Sequence, residues 1–127
     1  MTDASGAPRV LILADDLIWA ERLVGAVAAV PAVPVRVGSL ARFESELPSV
    51  SAAIVDLTAR AYGGIDAVGR ASAAGIPTLA VGQHDDHDLR KRALAAGAAR
   101  VLAYRKLSED GPAAIATFLQ RHVTSPA

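Results

Sequence analysis

Residues 52–56, with the sequence Ala-Ala-Ile-Val-Asp, form a short apolar run that ends abruptly in a carboxylate. Such a run is typical of a strand buried on both faces, which is the environment of a strand in a parallel sheet. Sites in open parallel sheets form just beyond the carboxyl ends of the strands. The run therefore predicts a parallel sheet and places Asp56 at its functional edge.

A second run, residues 10–13, has the same apolar character and is followed closely by Asp15 and Asp16. If the two runs are neighbouring strands, their carboxyl ends lie side by side. The sequence then predicts a crevice that gathers the carboxylates of Asp15, Asp16 and Asp56.

Strand-like and helix-like patterns alternate along the whole chain. The predicted strands are 9–13, 34–37, 52–56, 78–81 and 100–104, and the predicted helices are 17–30, 40–47, 65–74, 85–96 and 112–123. Leu17, Leu23, Val24, Val27 and Ala28 are assigned to the apolar face of the first helix, with Glu21 and Arg22 on the other side. Strict alternation predicts an α/β doubly wound fold, with five helices on both faces of one five-stranded parallel sheet. A single domain is expected at 9–123, between a flexible N-terminal segment 1–8 and a tail 124–127.

Composition excludes several classes of function. The chain of 127 residues carries 13 basic and 13 acidic side chains, so nothing attracts it in bulk to nucleic acid or to an anionic membrane. It has no cysteine, which excludes disulfides and thiolate metal sites. The longest nearly apolar stretch, 23–35, contains two prolines and is too short to span a bilayer. We expect a soluble, cytoplasmic protein.

This order of parts resembles the receiver domain of bacterial two-component response regulators (the CheY-like family) over about residues 9–120. That family has an acidic pair after the first strand, a phosphate-accepting Asp ending the third, a Thr or Ser ending the fourth and a Lys ending the fifth. Residues 10–16 resemble the first motif and residues 53–57 the second, and Gly64 matches the family's glycine after the active loop. The resemblance implies a flavodoxin-like fold with strand order 2-1-3-4-5.

The resemblance also implies site residues. Asp56 would be the phosphate acceptor, and Mg²⁺ would bind Asp15, Asp16, Asp56 and the backbone carbonyl of Thr58. Ala14 stands where the first acid of the pair is expected, which weakens this magnesium site.

The sequence departs from the family at the positions that sense the phosphoryl group. Gly82 stands in place of the Thr or Ser, Tyr104 in place of the Lys, and Val101 in place of an aromatic residue; Arg60 replaces a proline of the active loop. A neutral tyrosine hydroxyl forms weaker bonds to an anion than an ammonium does. On a continuing strand, Arg105 points to the other side, and Lys106 lies about 7 Å beyond Tyr104.

Several residues have two interpretations. Asp56 is a phosphate acceptor or an acid that caps loop amides. Asp15 and Asp16 bind a divalent cation, or one of them caps the helix that begins near Leu17. Trp19 packs beneath the first helix or anchors a partner.

Two polar segments also have two interpretations each. Residues 84–87, His-Asp-Asp-His, are a metal site or a polar helix start. The run 90–92, Arg-Lys-Arg, contacts an acidic partner or is a solvated helix face.

The resemblance and its departures predict a stand-alone, atypical receiver (a pseudo-receiver) in two-component phosphorelay signalling. It is expected to act through protein contacts and not to be an enzyme. Its partners would be a histidine kinase or a downstream signalling protein, with a homodimer through the face of helix 4, strand 5 and helix 5, at 89–120. The alternatives are a phosphorylatable receiver that uses Asp56 and Mg²⁺, and a small doubly wound enzyme or ligand-binding domain.

Overall fold

The computed structural model describes residues 6–59, 62–83 and 85–123. Within these residues one parallel sheet has the order β2-β1-β3-β4-β5, so the predicted fold class and strand order are confirmed. Arg60, His84 and the segments 1–5 and 124–127, for which the sequence made specific predictions, lie outside the described residues. The strands are β1 Arg9–Leu13, β2 Val33–Val37, β3 Ala52–Asp56, β4 Thr78–Gly82 and β5 Arg100–Ala103.

The helices alternate with the strands along the chain and pack on both faces of the sheet. They are α1 Leu17–Ala28, α2 Leu40–Glu46, α3 Gly64–Ala73, α4 His87–Ala96 and α5 Tyr104–His122, with a short 3₁₀ turn at Leu47–Ser49. Three of these helices, α1, α2 and α4, have an N-capping side chain. Asp16, Ser39 and Asp86 each accept a hydrogen bond from the backbone amide three residues further along the chain.

Strand β3 occupies the centre of the sheet, and every one of its residues is buried. Its alternate side chains enter two separate apolar clusters. Ala53 and Val55 join the cluster beneath α2, α3 and α4, whereas Ala52 and Ile54 join the cluster beneath α1 and α5. Burial on both faces explains why the run has no polar residue before Asp56.

The predicted end of β5 is wrong by one residue, and a helical segment that the sequence did not predict precedes the predicted last helix. Strand β5 ends at Ala103, and α5 begins at Tyr104. Helix α5 consists of two helical segments that meet at Asp110, where φ is −154° and ψ is 39°. Pro112 lies in the first turn of the second segment, where its missing amide is tolerated, so the predicted helix at 112–123 corresponds to that segment.

The predicted burial of Leu17 is also wrong. Leu17 is 71% exposed, and the buried residues of α1 are Ala20, Leu23 and Val27. Leu17 is the first helical residue after the cap at Asp16, and the helix reaches the sheet only one turn later.

No helix in the described part of the chain is both long enough and apolar enough to cross a membrane.

The contact between α3 and the loop after β3 requires glycine at position 64. A Cβ on Gly64 would lie 2.8 Å from the Cα of Leu57, and this backbone atom cannot move aside cheaply. We expect Gly64→Ala to lower the free energy of unfolding by about 1–3 kcal/mol in urea denaturation. Gly69→Ala in the same helix is the matched control, because a Cβ there meets no atom within 4 Å. It should be neutral or stabilise by about 0.5–1 kcal/mol. Equal losses for both variants would contradict this explanation.

Candidate functional site

The carboxyl ends of β1 and β3 lie beside each other and open into a cleft of about 380 Å³. The structure brings together in it five of the residues that the sequence singled out for the site, and adds Trp19 and Gln83. The lining side chains are Asp15, Asp16, Trp19, Asp56, Thr58, Gln83 and Tyr104. Gly82 ends the next strand, β4, and Ala14 is buried at the end of β1.

Asp56 is 1% exposed and is held by its own loop and by α5. Its Oδ1 accepts from the amide of Thr58 at 3.1 Å and from the Thr58 hydroxyl at 3.0 Å. The hydroxyl of Tyr104 donates to the same oxygen and also contacts the Thr58 hydroxyl. The contacts to Thr58 are those of an acid that caps its own loop, which is one of the two interpretations of Asp56.

An aromatic stack holds Tyr104 in place above the carboxylate. The rings of Trp19 and Tyr104 have centroids 4.2 Å apart and are tilted by 31°. The guanidinium of Arg22 lies 4.9 Å from the centroid of the Trp19 ring and also donates to the Ser108 hydroxyl at 3.3 Å. Trp19 is therefore half-buried packing between α1 and the start of α5, and it forms a wall of the cleft.

Tyr104 is a neutral donor in this site. Burial raises its pKa above the ordinary value of 10.0, and the hydrogen bond that it donates to Asp56 raises that pKa further. A neutral hydroxyl satisfies the buried carboxylate but supplies no positive charge.

Tyr62 also contributes to the site, and the sequence did not predict its role. Its buried hydroxyl lies 2.9 Å from the carbonyl oxygen of Leu13 and 2.8 Å from that of Asp56, so one proton is shared between the ends of β1 and β3. Burial, followed by the negative charges of Asp56 and Asp15, raises the pKa of Tyr62. No sequence pattern predicts which groups this hydroxyl contacts.

Neighbouring atoms leave room for a Cβ at position 82, so crowding does not explain why this residue is glycine. A Cβ there would lie 3.6 Å from Leu57 Cδ1 and 3.9 Å from Leu89 Cδ2, which are ordinary contacts. The space around Gly82 therefore admits a Cβ atom. Val101, at the position of the family's aromatic residue, is buried in the core.

No basic side chain lines the cleft in the described part of the chain. Arg105 and Lys106 lie on α5 and pair with Glu109 at 3.2 Å and Asp110 at 3.6 Å, so neither takes the place of the family's Lys. The expectation that these residues continue a strand is wrong because the helix begins at Tyr104. Arg36 is the basic residue at this edge, and it donates to the carbonyl oxygen of Ala14 at 2.9 Å.

Part of the acidic donor set for a magnesium ion is already engaged in hydrogen bonds. Among the described residues there is no group of three or more His, Asp or Glu side chains that could hold a metal. Asp16 uses its Oδ1 to cap α1 through the amide of Trp19 at 3.0 Å, as one interpretation of this acid expected. The Oδ1 of Asp56 already accepts from Thr58 and Tyr104. At the other candidate metal segment, Asp86 caps α4 through Leu89.

Comparisons with known proteins agree on the fold. No protein-family model matches the sequence, and no curated protein matches it. Among solved structures, the receiver domain of an HD domain-containing protein from Pseudomonas fluorescens Pf-5 matches with a TM-score of 0.79 at 15% identity, over 96% of this chain and 93% of that one. The BeF3-activated DrrB receiver domain matches with a TM-score of 0.79 at 13% identity, over 91% and 99%.

The chain has the receiver-domain fold. This fold also occurs in a Burkholderia pseudomallei protein described as pilus assembly-related, with a TM-score of 0.74 at 18% identity over 95% of this chain and 96% of that one. At such identities the likeness establishes the receiver fold and nothing about activity.

The two tyrosines of the chain predict an unusual alkaline titration. Both pKa values are raised above 10.0 in the folded protein, whereas both lie near 10.0 after unfolding. The tyrosines therefore contribute stability that is fully present below pH 10.0 and is lost as the pH rises above it. Ultraviolet absorbance should show no phenolate near pH 10.0 and a cooperative rise only when circular dichroism reports unfolding. A phenolate that titrates near pH 10.0 in the folded protein would contradict this.

The Tyr104→Phe variant tests the contribution of the hydroxyl to stability separately from that of the ring. The variant keeps the stack on Trp19 but removes a donor from a buried carboxylate, so we expect a loss of about 1–3 kcal/mol in the free energy of unfolding. Tyr62→Phe is the matched control for a hydroxyl bonded to neutral carbonyls, and its loss should be smaller, about 0.5–1.5 kcal/mol. An unchanged stability for Tyr104→Phe would contradict the assigned hydrogen bond.

Proposed function

We propose that the protein is an atypical receiver, or pseudo-receiver, which signals through protein contacts without phosphorylation of Asp56. The observation that carries the proposal is the hydrogen bond from the Tyr104 hydroxyl to Asp56 Oδ1. A phosphoryl donor would have to approach a carboxylate whose Oδ1 already accepts hydrogen bonds from this hydroxyl and from Thr58.

The charge of the cleft supports the same proposal. Phosphoryl transfer depends on positioning and on neutralising the charge of the transferred group. The described lining residues include three acids and no base, and they present a neutral tyrosine in place of a Lys. A phosphoryl group would therefore add negative charge to a site that offers no positive charge in return.

The residues that would report phosphorylation are also altered. Gly82 has no hydroxyl to move onto a phosphoryl group, and Val101 is a packed aliphatic residue. We propose that signalling is constitutive and depends on which protein is bound, a histidine kinase or a downstream protein of a two-component pathway in the cytoplasm. The proposed contact face is that of α4, β5 and α5, and we propose no catalytic activity.

A phosphorylatable receiver is the second candidate. Its support is that Asp15, Asp16 and Asp56 line one cleft, as an acidic magnesium site would require. In that case the Tyr104 hydroxyl must leave Asp56 before the carboxylate can act as a nucleophile.

Treatment with Mg²⁺ and acetyl phosphate, followed by intact-mass measurement, tests the proposal. We expect the wild-type protein and Asp56→Asn to show the same absence of phosphoryl adduct. Tyr104→Lys, which removes the hydroxyl and supplies an ammonium, should acquire an adduct that the additional Asp56→Asn change abolishes. An adduct on wild-type protein that depends on Asp56 would contradict the proposal and favour the second candidate.

A further inference from the structure

The large apolar side chains that are exposed in the described part of the chain fall into two patches. Leu17 and Ile18 are 71% and 64% exposed and adjacent on the first turn of α1, and Leu94 on α4 is 44% exposed. Single exposed aliphatic residues are ordinary, but two neighbours exposed to this extent on a helix indicate a contact surface.

The first patch is acidic. Asp15 and Asp16 precede Leu17 and Ile18, and Glu21 lies one turn further along the same side of α1. Arg22, the basic residue nearby, is already engaged with Trp19 and Ser108. We call Leu17 and Ile18 with these three carboxylates the acidic patch.

The second patch is basic. Arg90 and Lys91 lie one turn before Leu94 and on the same side of α4. Arg90 is directed over strand β5, where it donates to the carbonyl oxygen of Val101 at 3.3 Å. Lys91 forms no ion pair with any described residue. We call Leu94 with Arg90 and Lys91 the basic patch.

The two patches cannot meet within one molecule. Helix α1 packs with α5 on one face of the sheet, in the cluster that contains Leu23 and Phe118, and α4 packs with α2 and α3 on the opposite face, in the cluster that contains Phe43 and Val68. Each patch therefore points away from the other. Each offers an apolar centre with a majority of charges of one sign, although Arg22 adjoins the acidic patch and Asp88 adjoins the basic patch.

We propose that the acidic patch of one copy binds the basic patch of a second copy, head to tail. Leu17 and Ile18 would pack against Leu94, and the carboxylates around them would face Arg90 and Lys91. Complementary charge around an apolar centre favours this pairing, whereas a symmetric contact through α4 would place the basic patch against itself. A head-to-tail contact leaves one patch open at each end of a dimer, so it continues into a ring or a filament.

The proposal rests on the proposed function in that both use α4 as a contact surface, and the acidic patch shares Asp15 and Asp16 with the cleft. It does not depend on whether Asp56 accepts a phosphoryl group. Failure of the self-association test leaves the phosphodonor result unchanged, and the converse also holds.

Analytical ultracentrifugation of the full chain tests the proposal with two complementary variants. The double substitution Leu17→Ser/Ile18→Ser removes the apolar centre of the acidic patch, and Leu94→Glu reverses the character of the basic patch. Ala41→Glu, at an exposed position on α2 outside both patches, is the matched control. Circular dichroism establishes that each variant is folded.

We expect the wild type and Ala41→Glu to associate with rising concentration and to dissociate with added salt, because salt screens the charges. Each patch variant alone should associate at least about tenfold more weakly. An equimolar mixture of the two variants should form a 1:1 heterodimer, because each retains the patch that the other lacks. A wild type that stays monomeric, or a mixture that fails to pair although the wild type associates, would overturn the proposal.

Discussion

The buried carboxylate of Asp56 is the group on which the rest of the site depends. It ends the central strand, where both faces of the sheet are covered, and a polar group buried there must be hydrogen-bonded. In this protein nearby neutral groups donate the hydrogen bonds to Asp56. Thr58 supplies an amide and a hydroxyl, and Tyr104 supplies a second hydroxyl. These three donors satisfy the buried carboxylate oxygen.

The start of α5 follows from the same requirement. Tyr104 reaches Asp56 as the first residue of a helix, with its ring against Trp19. A helix that begins there carries Arg105 and Lys106 away from the cleft to Glu109 and Asp110. The aromatic contact thus ties α1 to α5 and removes the basic side chains that could have taken the place of a lysine. On this account, the proposed loss of the phosphorylation chemistry and the packing of α5 have one origin.

The fold was predictable from the sequence because the buried strands β1, β3 and β4 leave strong local signals. Apolar runs, caps and glycines predicted a parallel sheet with alternating helices, and the resemblance to receiver domains implied the strand order that places Asp15 and Asp56 in one cleft. Pro112 correctly predicted the second segment of α5, whereas the first segment was not predictable, because it begins with Tyr104 buried in the cleft and continues an apolar strand pattern. The hydroxyl of Tyr62 was missed for a similar reason: its partners are backbone carbonyls, and no sequence pattern encodes them.

The amide resonance of Thr58 reports most directly on the central claim, that neutral donors keep Asp56 closed. Its nitrogen lies 3.1 Å from Asp56 Oδ1, so any ligand on that carboxylate must change its chemical shift. The measurement is a ¹⁵N-resolved titration with Mg²⁺, with and without beryllofluoride as a phosphoryl mimic. The account predicts no saturable shift of Thr58 under either condition. A saturable shift that requires Mg²⁺ and beryllofluoride together would contradict it, because the site would then open to a phosphoryl-like group.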